Sequence, residues 1–357
     1  MQMVVYGGAT GGGSLASDDL FLLDMRNGEA MAQWMIVPVV GSTPGRRYGH
    51  TIIFSKPHLL VFGGNTGQEP VNDVWCLSVE RAPFSWNKLD CGKDTPAARV
   101  YHSAALCMTG SATGMMVSFG GRTTDQSSLA DTWGLRRHRD GRWDWVKAPY
   151  KTDTSPTPRY QHSTLFLGPL MMVIGGRTNQ VGEDVSMEVY DTESSEWYKF
   201  RAIQRFRATC WQIEGNVYVH GGFEHQTPNI PINAISRIES QKLFQSFPTL
   251  LGKISPKTGK AKDAATGTKS NIKRNQNIYN VDEQKEFKLA NQAHIAMSIN
   301  HGNGGQMDAP AEDFSLLVRK ISIDKLQEEP RKLGPNVKAP LVQKNPYDSL
   351  YSLFIND

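Results

Sequence analysis

The feature of this 357-residue chain that most restricts its fold is a pair of adjacent glycines at the end of an apolar run, which occurs five times. Successive pairs are separated by 56, 57, 55 and 46 residues. The run before each pair consists of the β-branched, aromatic and other apolar residues that are typical of a strand. The pairs are Gly7-Gly8, Gly63-Gly64, Gly120-Gly121, Gly175-Gly176 and Gly221-Gly222. The chain is therefore a tandem repeat of strand-forming units.

Three further landmarks recur in a fixed order around the glycine pairs. Arg-x-x-His or a close relative precedes four pairs, a second β-type run follows, and a tryptophan comes next. A period near fifty residues with four strands per unit is typical of a kelch β-propeller. The arginines are Arg47, Arg99, Arg159 and Arg207, followed by His50, His102, His162 and Cys210, and the tryptophans are Trp34, Trp86, Trp145 and Trp197. We predict an all-β propeller over residues 1–245 with five recognisable blades, the first lacking its opening strand.

The repeat also predicts what its landmarks do. A blade cannot bury both faces alone, so the tryptophans are predicted to pack against a neighbouring blade. The histidines recur with the same period and one copy is cysteine, so we interpret them as packed strand residues rather than metal ligands. Gly64 and Gly176 are predicted to have a positive φ or a close backbone neighbour.

His138, Arg139 and Asp140 match the first three letters of a protein-kinase catalytic loop. The other kinase motifs are missing from the sequence. Asp140-Gly141 is a turn dipeptide between two β-type runs, so the triplet is predicted to be a hairpin turn.

Composition and charge narrow the classes of function. No run approaches the ~18 apolar residues of a membrane span, and the first residues resemble no signal peptide. The net charge of +4 gives little indication of nucleic-acid binding. The four cysteines form no CxxC pair, which argues against a zinc site or a disulfide framework. We expect a cytoplasmic or nuclear protein with no membrane span, nucleic-acid partner, metal or other cofactor in this chain.

Two separated segments carry a family resemblance. "GLRRHRDGRWDWVKAP" at 134–149 and "SPTPRYQH" at 155–162, with "RYGHTI" upstream at 47–52, resemble the kelch-type serine/threonine phosphatases of plants and protists. "LLVRKISIDKLQEEPRKL" at 316–333 is similar to that family's connector. The resemblance implies six kelch units followed by a metallophosphatase domain that binds two divalent metals, such as Mn, and dephosphorylates phosphoserine and phosphothreonine proteins in signalling.

The phosphatase signatures GDxHG, GDxVDRG and GNHE are absent from this sequence. The resemblance therefore implies that this chain is not itself an enzyme. It would be the docking and regulatory propeller of a phosphatase domain in the same polypeptide. A free-standing kelch adaptor or scaffold is the alternative.

Six arginines are candidates for a ligand-binding face. The loop before the first strand of a blade and the loop after its second strand lie on the same rim of a propeller. Guanidinium groups there would bind carboxylates or phosphates bidentately, so we predict an acidic or phosphorylated protein segment as ligand. The first loop carries Arg47, Arg99, Arg159 and Arg207, and the second carries Arg122 and Arg177. For the first four, a structural tie to loop carbonyls is the alternative.

The C-terminal extension is predicted to be largely irregular. Residues 246–312 are lysine-rich without apolar periodicity, which is typical of a flexible linker or insertion. Residues 313–357 are predicted to be an amphipathic connector leading towards the phosphatase domain, and its two amphipathic segments are interpreted as helices that either cover the propeller or lead into that domain. Ser322 lies three residues after Arg319 and is a candidate phosphorylation site.

Overall fold

The computed structural model describes residues 2–10, 13–26, 31–151, 155–180, 185–254 and 318–321. These residues form five sheets that follow one another along the chain, each built from antiparallel neighbours in sequence. The prediction of an all-β kelch propeller with five blades is confirmed.

The strands of each blade are short. Blade 1 contains β1 (Gln2–Tyr6), β2 (Leu20–Asp24) and β3 (Gln33–Val37). Blade 2 contains β4 (Val39–Val40), which is parallel to β8, then β5 (Thr51–Ser55), β6 (His58–Phe62), β7 (Val74–Ser78) and β8 (Phe84–Lys88). Blade 3 contains β9 (Ser103–Leu106), β10 (Met116–Phe119), β11 (Thr132–Arg137) and β12 (Trp143–Lys147). Blade 4 contains β13 (Ser163–Leu167), β14 (Leu170–Ile174), β15 (Met187–Asp191) and β16 (Glu196–Phe200). Blade 5 contains β17 (Thr209–Ile213), β18 (Asn216–His220), β19 (Ile235–Ile238) and β20 (Val318–Ile321).

The core lies between neighbouring blades. The aromatic residue before a glycine pair packs on the histidine and the tryptophan of the next blade. The Phe62 ring centroid lies 4.8 Å from that of His102 and 4.7 Å from that of Trp145. Phe119 repeats the arrangement in the next junction. Tyr6 makes the same contacts with His50 and Trp86. Such aromatic pairs contribute about 0.5–1.5 kcal/mol beyond area burial, so this cluster helps to fix the first three junctions, whereas Ile174 takes the place of the aromatic residue in blade 4.

Two short helices follow β19, α1 (Ser240–Leu243) and α2 (Pro248–Ile254). Phe244 and Leu250 are fully buried against blades 4 and 5. Lys253 of α2 forms an ion pair with Asp191 at 2.6 Å. The prediction that a flexible linker starts at residue 246 is therefore wrong for 246–254, because this segment buries Leu250 and its single lysine, Lys253, is held in an ion pair.

The predicted connector contributes one strand. Within it, β20 pairs antiparallel with β19, with Ile235 opposite Ile321. A helix over this part of 313–357 was the wrong prediction, because the backbone completes blade 5 as its fourth strand. Residues 255–317 and 322–357, including the candidate phosphorylation site Ser322, lie outside the described residues.

No helix in the described ranges has the length and apolar character needed to span a membrane.

Replacing Gly176 with alanine tests the repeated glycine. Gly176 has a φ of +99°, and an added Cβ would lie 2.8 Å from His162 Cβ and 3.0 Å from the Tyr160 carbonyl oxygen. We expect Gly176→Ala to lower the free energy of unfolding by at least about 1 kcal/mol in urea titrations. Gly252→Ala in α2 is the matched control, since its Cβ would meet open space. Equal stability of Gly176→Ala and the wild type would contradict the close approach.

Candidate protein-binding face

A chain of backbone hydrogen bonds links four blades on one rim. Tyr101 N–H donates to the Gly49 carbonyl at 2.8 Å, Gln161 N–H to Tyr101 at 2.9 Å, and Arg207 N–H to Gln161 at 2.9 Å. These four residues occupy the same repeat position, and we call them the collar. All four have a positive φ between 57° and 62°. Since positive φ is uncommon outside glycine, the inter-blade bonds hold a conformation that the local sequence does not favour.

Three of the predicted ligand arginines are buried instead. Arg47, Arg99 and Arg159 are at most 1% exposed. Each donates to the carbonyl of the first glycine in its own blade's pair, at 2.9, 2.9 and 3.1 Å. Their carboxylate partners are Asp73 at 2.7 Å, Asp131 at 2.8 Å and Glu188 at 2.9 Å. The guanidinium N–H groups of these three arginines are thus occupied by partners inside the blade, so the structural tie is the correct alternative for them. We call them the clamp arginines, and each with its partners a clamp.

The clamps of blades 2 and 3 keep their carboxylates, Asp73 and Asp131, ionised. Burial raises the pKa of Asp73, but the hydrogen bond and the charge of Arg47 outweigh it, so the pKa falls below its usual value. Burial also raises the pKa of Asp131, but the hydrogen bond and the charge of Arg99 outweigh it, so this pKa is lowered as well. Each of these two clamps is thus a charged pair that joins the start of the first strand to the start of the third.

The assignment of Arg207 to this repeat position is also wrong. The fourth clamp arginine is Arg205, which is 5% exposed and donates to the Ala234 carbonyl at 3.2 Å and to Ser236 Oγ at 3.1 Å. The sequence match of "RATC" to Arg-x-x-His was shifted by two residues. The spacing to the first strand of the blade identifies the correct arginine. β17 begins at Thr209, four residues after Arg205, just as β5 begins at Thr51, four residues after Arg47.

Arg207 itself belongs to the collar and is half-buried. With the Gln161 amide oxygen turned towards it, Arg207 donates from Nε at 2.9 Å and from Nη2 at 3.0 Å. A collar neighbour therefore holds this side chain in place.

Arg122 and Arg177 follow the glycine pairs of blades 3 and 4, and we call them the rim arginines. Arg122 Cζ lies 5.0 Å from the ring centroid of Tyr160, and Arg177 Cζ lies 4.6 Å from that of Phe206. Each ring belongs to the next blade, so the rim arginines lie across blade junctions. Both are half-buried. Stacking on an aromatic ring uses the face of a guanidinium and leaves its N–H edge for hydrogen bonds.

The two rim arginines differ in their remaining contacts. Arg122 donates to the carbonyl and the side-chain oxygen of Gln126, at 3.1 and 2.8 Å. Asp125 in the same loop is held by Thr123 and Ser127 rather than by Arg122. Arg177 has no side-chain hydrogen bond or ion pair with another described residue. The two guanidinium groups thus lack carboxylate partners within the described part of the chain.

The repeated histidines are buried in the blade junctions. Burial, assisted by the charge of Arg47, lowers the pKa of His50 to about 4. Burial and Arg159 lower the pKa of His162 to about 3, and His102 is shifted in the same direction. Over the described ranges, no three His, Cys, Asp or Glu side chains are grouped as a metal site would need.

A known kelch family matches this architecture. The KLHDC2/KLHL20/DRC7 Kelch-repeats domain matches residues 1–222, which is more than half of the chain. The chain therefore belongs to this kelch-repeat family.

Its relatives come from several kinds of protein. The serine/threonine-protein phosphatase BSL2 of Arabidopsis thaliana is 34% identical over 205 residues, covering 56% of this chain and 19% of that protein. An F-box/kelch-repeat protein of the same plant is 32% identical over 270 residues, covering 68% of this chain and 54% of that protein. Dynein regulatory complex subunit 7 of Chlamydomonas reinhardtii is 31% identical over 132 residues, covering 36% of this chain and 11% of that protein. The chain thus spans between about a tenth and about half of these relatives.

The clamp predicts a large effect on stability. Arg159→Met would leave the Glu188 carboxylate, whose side chain is 0% exposed, without its arginine. Removing one partner of a buried ion pair costs about 3–5 kcal/mol, so we expect a loss of that size in urea unfolding. Adding Glu188→Met should restore part of it. Arg122→Met is the control and should cost at most about 1 kcal/mol, since it loses a stacking contact and two hydrogen bonds to the exposed Gln126, which water can replace, and leaves no buried charge without a partner. A stable Arg159→Met protein would contradict the structural role.

The buried histidines predict acid sensitivity. In the unfolded chain an imidazole titrates near pH 6.5, whereas His50 and His162 remain neutral in the fold until about pH 4 and pH 3. Their contribution to stability is therefore complete above about pH 6.5 and is lost as the pH falls towards pH 4. We expect the urea midpoint to fall as the pH is lowered from about 6.5 to about 4. His162→Gln should reduce the slope of the free energy of unfolding against pH by up to about 1.4 kcal/mol per pH unit. An unchanged slope would contradict the burial of neutral His162.

Proposed function

We propose that this chain is a non-catalytic docking propeller whose rim arginines bind an acidic or phosphorylated segment of a partner protein. The proposal rests on one observation: Arg122 and Arg177 are fixed on aromatic rings across neighbouring blades without a carboxylate partner among the described residues. We propose further that the bound protein is the substrate of a serine/threonine phosphatase domain in the same polypeptide.

The contrast with the clamp supports this assignment. Each of Arg47, Arg99 and Arg159 is matched by a carboxylate within its own blade. The rim arginines have the same charge, yet their contacts are aromatic rings and, for Arg122, the two oxygens of Gln126, none of which carries a charge. A phosphate or carboxylate offers two oxygens to a guanidinium edge, and hydrogen bonds between charged groups contribute about 1.5–3 kcal/mol each. A phosphorylated or acidic segment is therefore the ligand chemistry that completes this site.

The phosphatase part of the proposal is supported by similarity. The chain is 34% identical to a region of BSL2, and 316–333 resembles the connector of kelch-type phosphatases. The two divalent metals of such an enzyme would belong to its catalytic domain and not to this propeller. In this proposal the parent protein acts in signalling in the cytoplasm or the nucleus, and Ser322 is a phosphorylation site in the connector.

A free-standing adaptor or scaffold is the second candidate. The F-box/kelch-repeat protein of Arabidopsis thaliana matches a larger part of this chain than BSL2 does. Both candidates use the same rim arginines. Sequencing the transcript past the codon for Asp357 separates them, because metallophosphatase signatures downstream would support the phosphatase.

Reversing the charge of both rim arginines tests the docking site. The probe is a fluorescein-labelled peptide with one phosphoserine between glutamates, compared with its unphosphorylated twin by fluorescence anisotropy. We expect the wild type to bind the phosphopeptide more tightly, and Arg122→Glu/Arg177→Glu to weaken binding at least about tenfold. The unfolding midpoint should change little, because neither arginine is fully buried.

Arg142→Glu is the matched control for this experiment. Arg142 has the same charge, is exposed, and lies in the hairpin turn between β11 and β12 on the opposite rim. Unchanged capture by the double variant would overturn the docking site. An equal loss in Arg142→Glu would also overturn it, since the effect would then come from net charge alone.

A further inference from the structure

The clamp of blade 5 differs from the clamps of blades 2, 3 and 4 in its acceptors. Arg205 is 5% exposed and donates to the Ala234 carbonyl at 3.2 Å, to the Val219 carbonyl at 3.5 Å and to Ser236 Oγ at 3.1 Å. All three acceptors are uncharged. Arg205 forms no ion pair with a described carboxylate, whereas each clamp arginine of blades 2 to 4 has one.

The strand register shows which groups take the place of the carboxylate. In blades 2 and 3 the clamp carboxylate belongs to the residue immediately before the third strand, Asp73 or Asp131. The tryptophan two residues later donates its indole N–H to that carboxylate, at 2.8 and 2.7 Å. In blade 5 the third strand, β19, begins at Ile235, so the same two positions are Ala234 and Ser236. Two small side chains therefore stand where blades 2 and 3 have a carboxylate and an indole.

Blade 4 also lacks the aspartate but keeps a carboxylate. The residue before β15 is Ser186, and Glu188 occupies the tryptophan position two residues later. Glu188 forms the ion pair with Arg159 at 2.9 Å. Arg159 also donates to the Ser186 carbonyl at 2.7 Å, as Arg205 does to the Ala234 carbonyl, so the two clamps are equivalent. In blades 2 to 4 these two positions thus always supply one carboxylate, and in blade 5 they supply none.

Part of the Arg205 guanidinium has no partner in the described part of the chain. The Nε of each other clamp arginine donates to a carbonyl of the preceding loop, at 3.0 to 3.2 Å. Arg205 Nε makes no hydrogen bond with a described residue. Burial lowers the pKa of Arg205, and the charge of Glu224 opposes this shift without forming an ion pair. A buried cation of this kind is costly unless an anion lies against it.

The site is reached from the rim of the propeller. The side chains of Asp73 and Asp131 are 15% and 23% exposed, so this position of a clamp is accessible from outside. Ala234 is half-buried, while Ser236 is 3% exposed and lies on the face of β19 that packs on blade 4. Since an alanine differs from an aspartate by one carboxylate, the room beside Arg205 is that of a single carboxylate group.

We infer that Arg205 and Ser236 form a binding site for one carboxylate that is supplied from outside blade 5. The guanidinium takes both oxygens, in the geometry that Arg99 has with Asp131 at 2.8 Å for each bond. The Ser236 hydroxyl accepts from Arg205 and has its own proton to donate to the carboxylate. The anion of a small carboxylic acid and an acidic side chain of a partner protein both offer this chemistry. The site is separate from the rim arginines and does not depend on the proposed function.

The test compares sodium acetate with sodium chloride at equal ionic strength in urea unfolding of the full chain. A ligand that binds the folded state alone raises the unfolding midpoint, so we expect a saturable rise with acetate. Ala234→Asp supplies the carboxylate within the chain, so it should raise the midpoint without acetate and abolish the saturable rise. General exclusion of acetate from the protein surface acts equally on both proteins and cancels in their difference. Asp73→Ala is the matched control, since it should lower the midpoint and enlarge the rise with acetate by creating the same site in blade 2.

A second probe distinguishes the two sources of the carboxylate. N-acetyl-aspartic acid amide presents an aspartate side chain, and N-acetyl-asparagine amide is its uncharged control. A rise with acetate and with the aspartate probe assigns the site to an acidic side chain of a partner. A rise with acetate alone assigns it to small free carboxylates.

Three results would overturn the inference. One is an equal response of the wild type and Ala234→Asp to acetate, since the site would then not bind it. Another is a lower stability of Ala234→Asp than of the wild type without acetate, because the room for a carboxylate would be absent. The third is a saturable rise that occurs only in Glu224→Gln, which would mean that Glu224 already supplies the anion.

Discussion

The buried guanidinium of each clamp is the interaction on which the rest of this propeller depends. Arg159, for example, joins the carbonyl of Gly175 to the carboxylate of Glu188, so one side chain fixes three strands of a blade relative to one another. A buried arginine without such partners would be strongly destabilising. The clamp therefore links the correct folding of a blade to the position of its glycine pair, and the glycine pair in turn contacts the next blade.

Arginine has two roles on this rim, and the group that contacts its guanidinium determines which role it has. A clamp arginine binds groups at or near the start of the third strand of its own blade, which are carboxylates for Arg47, Arg99 and Arg159. A rim arginine has an aromatic ring from the following blade, which orients the charge without neutralising it. The guanidinium charges without a carboxylate partner among the described residues thus lie on the loops after the glycine pairs, while the clamp arginines are buried inside the blades.

The blades could be predicted from the sequence because glycine pairs, tryptophans and strand runs are local features with a fixed period. The role of Arg47 could not, since its burial depends on Asp73, which lies in a different strand and becomes its neighbour only through the register. Arg207 was misassigned because Cys210 imitates the histidine position, while the true counterpart, Arg205, is identified by its distance to β17. Residues 246–254 fall in the predicted linker because the lysines that follow in 246–312 dominate its composition, although Leu250 in this segment is fully buried.

The collar has a consequence for how such a protein diversifies. Its links are formed by main-chain atoms alone, so they make no demand on side-chain chemistry beyond tolerance of the left-handed conformation. Glycine, tyrosine, glutamine and arginine fill the four equivalent places. Substitutions can therefore accumulate at this ring while neighbouring sheets keep their attachment, which allows one scaffold to acquire new binding preferences by changing few codons.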